Sequence, residues 1–238
     1  MSDTDFTEAH FREVVRLAKR NYRFISFEEV ATDERSILWR HDIDLSPHRA
    51  LALARIEAEE GVTATYFVLL HSEYYNALEH EVAEKIVAIA QLGHNIGLHF
   101  DPAFYEAMGH TDIEGAVLRE KELIEATFGV TLRAISWHNP SALERIDDRE
   151  TVGGLINAYS ASIREKFSYL SDSHGFWRFR RLHDVISAAE EPFLHILTHA
   201  EWWQREAMTP IERIARAIER RAVKQRQRYD EYRAKPLK

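Results

Sequence analysis

Four short segments carry residue types suited to metal and proton chemistry: Asp42-Ile43-Asp44, His99-Phe100-Asp101, Trp137-His138-Asn139-Pro140 and Leu197-Thr198-His199. In extended chain, residues i and i+2 point to the same side, so Asp42 and Asp44 can address one centre, and so can His99 and Asp101. Two neighbouring carboxylates repel unless a cation or a proton lies between them. A histidine and a carboxylate on one face make half of a divalent-metal site. Taken singly, each segment also has a structural reading: Asp44 as a helix cap, Asp42 paired with Arg40, or a rim histidine held by hydrogen bonds. Taken jointly they point to hydrolysis, with a cation to polarise a carbonyl, a carboxylate base to activate water, and an imidazole acid.

Composition restricts the ligands. The chain has 238 residues with no cysteine, 13 histidines, 5 tryptophans and a formal charge of −8. Without cysteine there is no disulfide scaffold, no thiol catalysis and no cysteine-ligated zinc or iron–sulfur site, so any metal sits on His, Asp and Glu. A chain that is 45% hydrophobic and free of Pro/Gly/Ser-rich linkers or a fixed-period repeat is expected to form one domain over residues 1–238. It has no apolar run of about 18 residues and no signal-like start, so a soluble, cytoplasmic protein with no integral membrane segment is expected. Negative net charge argues against nucleic acid as a partner. The stretch from Ile211 to Lys238 is the exception at net +6 and reads as a solvated terminal helix.

The elements that must position these residues alternate along the chain. Helical spacing marks residues 5–20, and Ser36–Trp39 is a short strand running into Arg40-His41-Asp42. Ser46-Pro47 reads as a cap and first turn of a helix reaching Glu60-Gly61. Thr63–Leu70, Asn95–Leu98, Leu132–Ser136 and Phe193–Leu197 read as strands, Val82–Leu92 and Thr111–Phe128 as helices, and residues 209–232 as a basic terminal helix. Ser141–Lys166 reads as loop and short elements. Such alternation implies parallel strands with crossovers, an α/β sheet or barrel, in which ligands bind at the carboxyl ends of the strands. All four polar segments fall there. Trp137, Trp177, Trp202 and Trp203 lie close by, where tryptophan suits either stacking on a sugar ring or, for at least one of Trp202 and Trp203, a place in the core.

Arg40-His41-Asp42-Ile43-Asp44, Ala64-Thr65-Tyr66-Phe67 and Gly93-His94-Asn95-Ile96-Gly97-Leu98-His99 together resemble the polysaccharide deacetylases, the NodB-homology or carbohydrate esterase family 4 group, over roughly Tyr22 to Trp203. The nearer likeness is to the bacterial branch with HDxD and GLH motifs, which includes proteins associated with surface-polysaccharide gene clusters. This resemblance implies a distorted (β/α) barrel of about seven strands and metal-dependent removal of an N-acyl group, such as acetyl, from an amino sugar of a surface polysaccharide or its precursor. It implies Asp42 as general base and Asp44 as metal ligand, roles that the intervening isoleucine leaves exchangeable. His99 matches the first of two metal histidines, but Ala103 stands at the second. Asp101 or His138 takes its place, Asp101 being preferred because it shares a face with His99. His199 matches the general acid, and Asp172 and Trp177 match the pair that orients that acid and lines the pocket. Trp137, Asn139 and Trp202 complete the expected substrate wall. The expected ion is zinc, with cobalt, manganese or nickel as alternatives. The segment Trp137–Pro140 lies where an Arg-x-Pro motif is expected, but its arginine is absent and Arg133 lies too early to replace it. Two other readings stand beside this one: an amidohydrolase acting on a small amide, imide or formyl group, and a non-catalytic carbohydrate-binding protein, for which Ala103 and the missing arginine speak.

Overall fold

The β-branched and aromatic runs of the sequence form parallel strands, and the capped amphipathic runs between them form the crossover helices. The computed structural model describes residues 3–140, 147–177 and 180–234. In chain order these give α1 (Glu8–Asn21), β1 (Arg23–Ile25), β2 (Ser36–Ile43), α2 (Pro47–Glu59), β3 (Thr65–Leu69), α3 (His80–Gln91), β4 (Asn95–Phe100), α4 (Pro102–Ala107) and α5 (Ile113–Phe128). They continue with β5 (Ala134–Trp137), β6 (Thr151–Val152), β7 (Leu155–Asn157), α6 (Ala161–Lys166), β8 (Ser168–Ser171), α7 (Leu182–Ala188), β9 (Phe193–His199) and α8 (Pro210–Ala234). The strands form one sheet in the order β6-β7-β5-β4-β3-β2-β9-β8, with β1 beside the first half of β2; every pairing is parallel except the β6–β7 hairpin.

The sheet is curled. Ser136 on β5 donates through Oγ to Asp42 Oδ2 on β2 at 3.1 Å, although β3 and β4 lie between these strands. Three strand spacings in a flat sheet would hold the two backbones about 14 Å apart, beyond the reach of two such short side chains. The arrangement is therefore a distorted, incompletely closed (β/α) barrel, as the alternation of elements and the family resemblance implied.

Alternation along the strands separates two environments. Leu38 on β2, Phe67 on β3 and Ala134 on β5 share a small inner core with Ile25, Phe27 and Phe167, while Ile37, Trp39, Tyr66, Ile96 and Ile135 face the helices in the main core. Gly97 on β4 belongs to the inner face, and a Cβ there would come within 2.5 Å of the Phe67 ring. Gly97→Ala is accordingly expected to lower stability by about 1–3 kcal/mol through overpacking, measured by urea denaturation.

Helix signals appear where the sequence places them. Ser46 Oγ accepts from Arg49 N at 3.3 Å with Pro47 at the first turn of α2, and α5 ends on Gly129 at φ 65°. The first helix begins at Glu8, after a short 3-10 turn, and carries Thr7 as its cap. Two differences bear on the site. Strands β2 and β9 run further than the apolar runs alone indicate, because their ladder continues through Arg40↔Leu197 and His41↔Thr198 to Asp42↔His199. Secondly, residues 151–157 form the hairpin of β6 and β7, whose strands are too short to show a period.

Behind the site a buried polar network joins strand to helix. His41 Nε2 meets Glu57 Oε1 at 2.8 Å, the Tyr66 hydroxyl donates to Glu57 Oε2 at 2.6 Å, and His41 Nδ1 meets Thr198 Oγ1 at 2.8 Å. A buried carboxylate is tolerated because its partners satisfy it; the Glu57 carboxyl is held below its ordinary value because the charge of His41 and its hydrogen bond outweigh burial. This network anchors His41 and Thr198, the residues immediately before Asp42 and His199.

Candidate metal centre and its proton-transfer groups

At the carboxyl end of the barrel, one carboxylate and two imidazoles point at one another. His99 Nε2 lies 3.1 Å from Asp44 Oδ1 and 3.2 Å from His138 Nδ1, and His138 Nδ1 lies 3.7 Å from Asp44 Oδ1. Among the described residues these form the group whose donor atoms all lie within 4.8 Å of one another. Each comes from a different strand end: Asp44 just beyond β2, His99 on β4 and His138 just beyond β5. His138 is set by its own backbone N–H, which donates to Phe100 O at 2.8 Å.

The donor set fits a divalent ion of borderline hardness, with two imidazole nitrogens, one carboxylate oxygen and a cleft on the remaining side. Two further observations favour this. The Oδ1 of Asp44, which faces both imidazoles, is buried with no hydrogen bond of good geometry among the described residues. The amide of Asn139, at φ 46°, lies 2.9 Å from His138 Nε2; turned oxygen-first, it would hold the tautomer that leaves Nδ1 free to bind a cation. Burial opposes ionisation of Asp44, but hydrogen bonds from His138 and His99 and the charges of His99 and His199 hold its carboxyl well below the usual range. Conversely, burial opposes the His138 imidazolium, yet Asp44 raises its pKa.

The order expected between the two replacement ligands is reversed by this geometry. Asp101 caps α4, its Oδ1 accepting from Ala103 N at 3.0 Å, and Ala103 itself lies exposed in the first turn of that helix. Asp101 keeps an extended backbone and lines the same cavity as His99, but its Oδ1 is engaged by the first turn of α4 and its carboxylate is not part of the group formed by Asp44, His99 and His138.

The proton-transfer candidates flank the group. Asp42 Oδ2 lies 3.8 Å from His99 Nε2, accepts from Ser136 Oγ at 3.1 Å and sits 3.6 Å from Arg40 Nη2. Arg40 is fully buried and also donates to Ser136 Oγ at 3.1 Å and to the Tyr159 hydroxyl at 2.7 Å. Arg40 lies two residues before Asp42, on the same face of β2. Burial works against its charge, but Asp42 and Tyr159 keep the guanidinium above its ordinary value.

On the other side, His199 Nε2 is 3.8 Å from Asp44 Oδ2, while its Nδ1 and backbone N–H donate to Asp172 Oδ1 at 2.7 and 2.9 Å. Asp172 is wholly buried and also accepts from Trp203 Nε1 at 2.9 Å. Burial opposes protonation of His199, but the Asp172 hydrogen bond and charge raise its pKa well above the ordinary imidazole value.

These groups open into a cavity of about 900 Å³. Asn139 and Trp202 line it, and so does Trp137, whose indole N–H is held by Asn157 Oδ1 at 3.0 Å. Trp177 is a correction to the expected wall: it lies in the core, stacked on Phe6 at 5.9 Å and edge-on to Trp203 at 6.4 Å, because the 3-10 turn Ser173–Gly175 directs it inward. Trp203 is likewise core. Tyr159, Tyr169, Phe104 and Glu201 line the cavity too and were not singled out from the sequence. Burial, then the charge of Asp44, pushes the Glu201 carboxyl up to about 8. Only the position of Glu201, two residues past His199, could have signalled it.

Neither a protein-family model nor a curated protein matches the chain. Among solved structures it is similar to a Streptococcus pyogenes deacetylase, PplD, in complex with acetate, at 12% identity and TM-score 0.45 over 87% of this chain and 85% of that one. It is also similar to the Bc1960 peptidoglycan N-acetylglucosamine deacetylase at 16% identity and TM-score 0.44, over 81% and 84% of the two chains. A family 4 carbohydrate esterase from Bacillus anthracis is similar at 17% identity and TM-score 0.41, over 90% and 86%.

Proposed function

We propose that the protein is a metal-dependent hydrolase that removes an N-acyl group from an amino sugar. The observation that carries this reading is the convergence of Asp44, His99 and His138 between a carboxylate, Asp42, and an imidazole, His199, each within 3.8 Å of the group. Asp44, His99 and His138 would hold a divalent ion, which when bound would supply Lewis-acid polarisation of the acyl carbonyl. Asp42 takes the proton of the attacking water on the oxygen that the Ser136 bond leaves free. His199 protonates the departing amine from Nε2, since Asp172 occupies Nδ1 and holds the acid form.

Two features support a sugar over a small amide: the cavity volume lies near the upper end for ligand pockets, and Trp202, Phe104 and Tyr169 offer aromatic surface on its wall. Against the non-catalytic alternative stand the positions of His138, beside Asp44 and His99, and of Arg40, beside Asp42, where a third ligand and an arginine partner of the base would serve.

The test is metal content and acyl release. Protein purified without chelator and supplied with zinc, cobalt, manganese or nickel is expected to hold about one ion per chain and to release acetate from an N-acetylhexosamine substrate. Binding of less than about a tenth of an equivalent, with no release under any of these ions, would overturn the reading.

A further inference from the structure

Beside the catalytic cavity lies a second, of about 480 Å³, which the chemistry above does not use. Its walls are the first turns of α2 and α3 and one face of α8. Leu45, Glu73, Tyr74 and Glu201 line both cavities. Glu73 and Tyr74 are exposed, so the boundary is a rim that a ligand can cross. Glu201, only 2% exposed, has an Oε2 with no hydrogen-bond partner among the described residues.

Basic side chains outnumber acidic ones in the second cavity: Arg49, Arg213, Arg216, Arg220, Arg221 and Lys224 line it together with Glu73, Glu79, Glu81 and Glu201. Of its carboxylates, Glu79 is paired with Arg221 and Arg228, and Glu81 with Lys224 and Arg228. Arg49 is paired with Glu8 and Arg216 with Glu206, while Arg220 is exposed and without an ion-pair partner among the described residues. Helix α2 starts here with no acidic residue in its own first turn, which carries His48 and Arg49, paired with Glu81 and Glu8 of neighbouring helices, and the positive end of its dipole faces the cavity. Burial, then Lys85 and Lys224, hold the His48 imidazole down at about 4 against the opposing charge of Glu79.

We infer that this cavity is an anion subsite for the phosphate or diphosphate ester that carries the amino sugar, so that the substrate class is a glycosyl phosphate. The inference rests on the deacylase reading above. Its geometry fits that chemistry, because amide and phosphate ester on one sugar ring stand only a few bonds apart, and the subsite begins at Leu45 and Ser46, directly after the ligand Asp44. Arginine forks and a helix N-terminus are groups that recognise phosphate.

The test has a binding and a kinetic part, both on the metal-loaded protein. Calorimetric titration with inorganic pyrophosphate is expected to show binding that R220E and R216E each weaken at least about tenfold, with folding checked by circular dichroism. Binding that both variants leave unchanged is binding elsewhere, such as at the metal, and overturns the inference. In the kinetic part, kcat/KM is expected to be at least about tenfold higher for N-acetylglucosamine 1-phosphate, its uridine diphosphate ester or its prenyl diphosphate ester than for the free sugar. That ratio is expected to collapse in R220E, and the better of the two diphosphate esters identifies the carrier as nucleoside or lipid. Equal kcat/KM for free and phosphorylated sugars overturns the inference and leaves the deacylase reading intact. Pyrophosphate binding lost in R220E, with no acyl release from any of these sugars, overturns the deacylase reading instead.

Discussion

Asp42→Asn is expected to retain the metal and to lower kcat by about 10²–10⁴, the usual contribution of a positioned proton-transfer group. Asparagine keeps the shape and the hydrogen bond from Ser136 Oγ but cannot accept the proton of water. The same substitution leaves Arg40, wholly buried and 3.6 Å from Asp42 Oδ2, without its counter-charge. Breaking such a pair costs about 3–5 kcal/mol, so the variant is also expected to unfold at lower urea. R40M/D42N separates the two effects: with the buried cation gone, stability recovers while turnover does not. Acetate release, urea denaturation and metal analysis on the three proteins make the measurement. Turnover in D42N within about threefold of the parent, at equal metal content, would remove Asp42 from the role of base.

That coupling shows why only part of the site was legible in the sequence. Asp42, Asp44, His99, His138 and His199 stand at strand ends whose apolar runs are readable, and the rule that ligands gather at the carboxyl ends of parallel strands brings them to one rim. The choice between Asp101 and His138 was not legible, because it turns on where β4 stops. β4 ends at Phe100 and Pro102 starts a helix, so the Asp101 carboxylate is drawn into capping that helix while His138 joins Asp44 and His99. Arg40 was legible as a charge beside Asp42, but not as the partner of Ser136 across two intervening strands, since curling of the sheet is a property of the whole barrel. Trp177 shows the same limit from the other side. A tryptophan near a polar cluster is apolar surface wherever it points, and the turn before it pointed it into the core. The second cavity depends on α8 packing across the first turns of α2 and α3, which nothing in the helix's own period specifies.

The acid partner gives a prediction in which the direction of a pH shift decides. With His199 as general acid, kcat/KM falls as pH rises through the His199 pKa, and Asp172 holds that pKa well above the ordinary imidazole value. The basic limb of the profile is therefore expected above the usual histidine range. In Asp172→Asn the charge is gone and the limb is expected to move down toward the ordinary histidine range. At pH 8 the variant is expected to lose about 10²–10⁴ in kcat, since the acid form is depleted and the imidazole is less firmly held. Asparagine introduces a second effect: its amide must turn a donor toward either His199 or the Trp203 indole N–H, now 2.9 Å from Asp172 Oδ2. Combining it with Trp203→Phe removes that clash. If Asp172 acts on the His199 proton, the limb stays shifted in the double variant although stability improves; if it serves only to hold the fold, the amplitude falls while the limb stays where it is in the parent. The contribution of Asp44 to the His199 pKa is offset once a cation occupies the centre, whereas Asp172 lies behind the imidazole and away from the ligands, so the shift is expected in the metal-loaded protein as well.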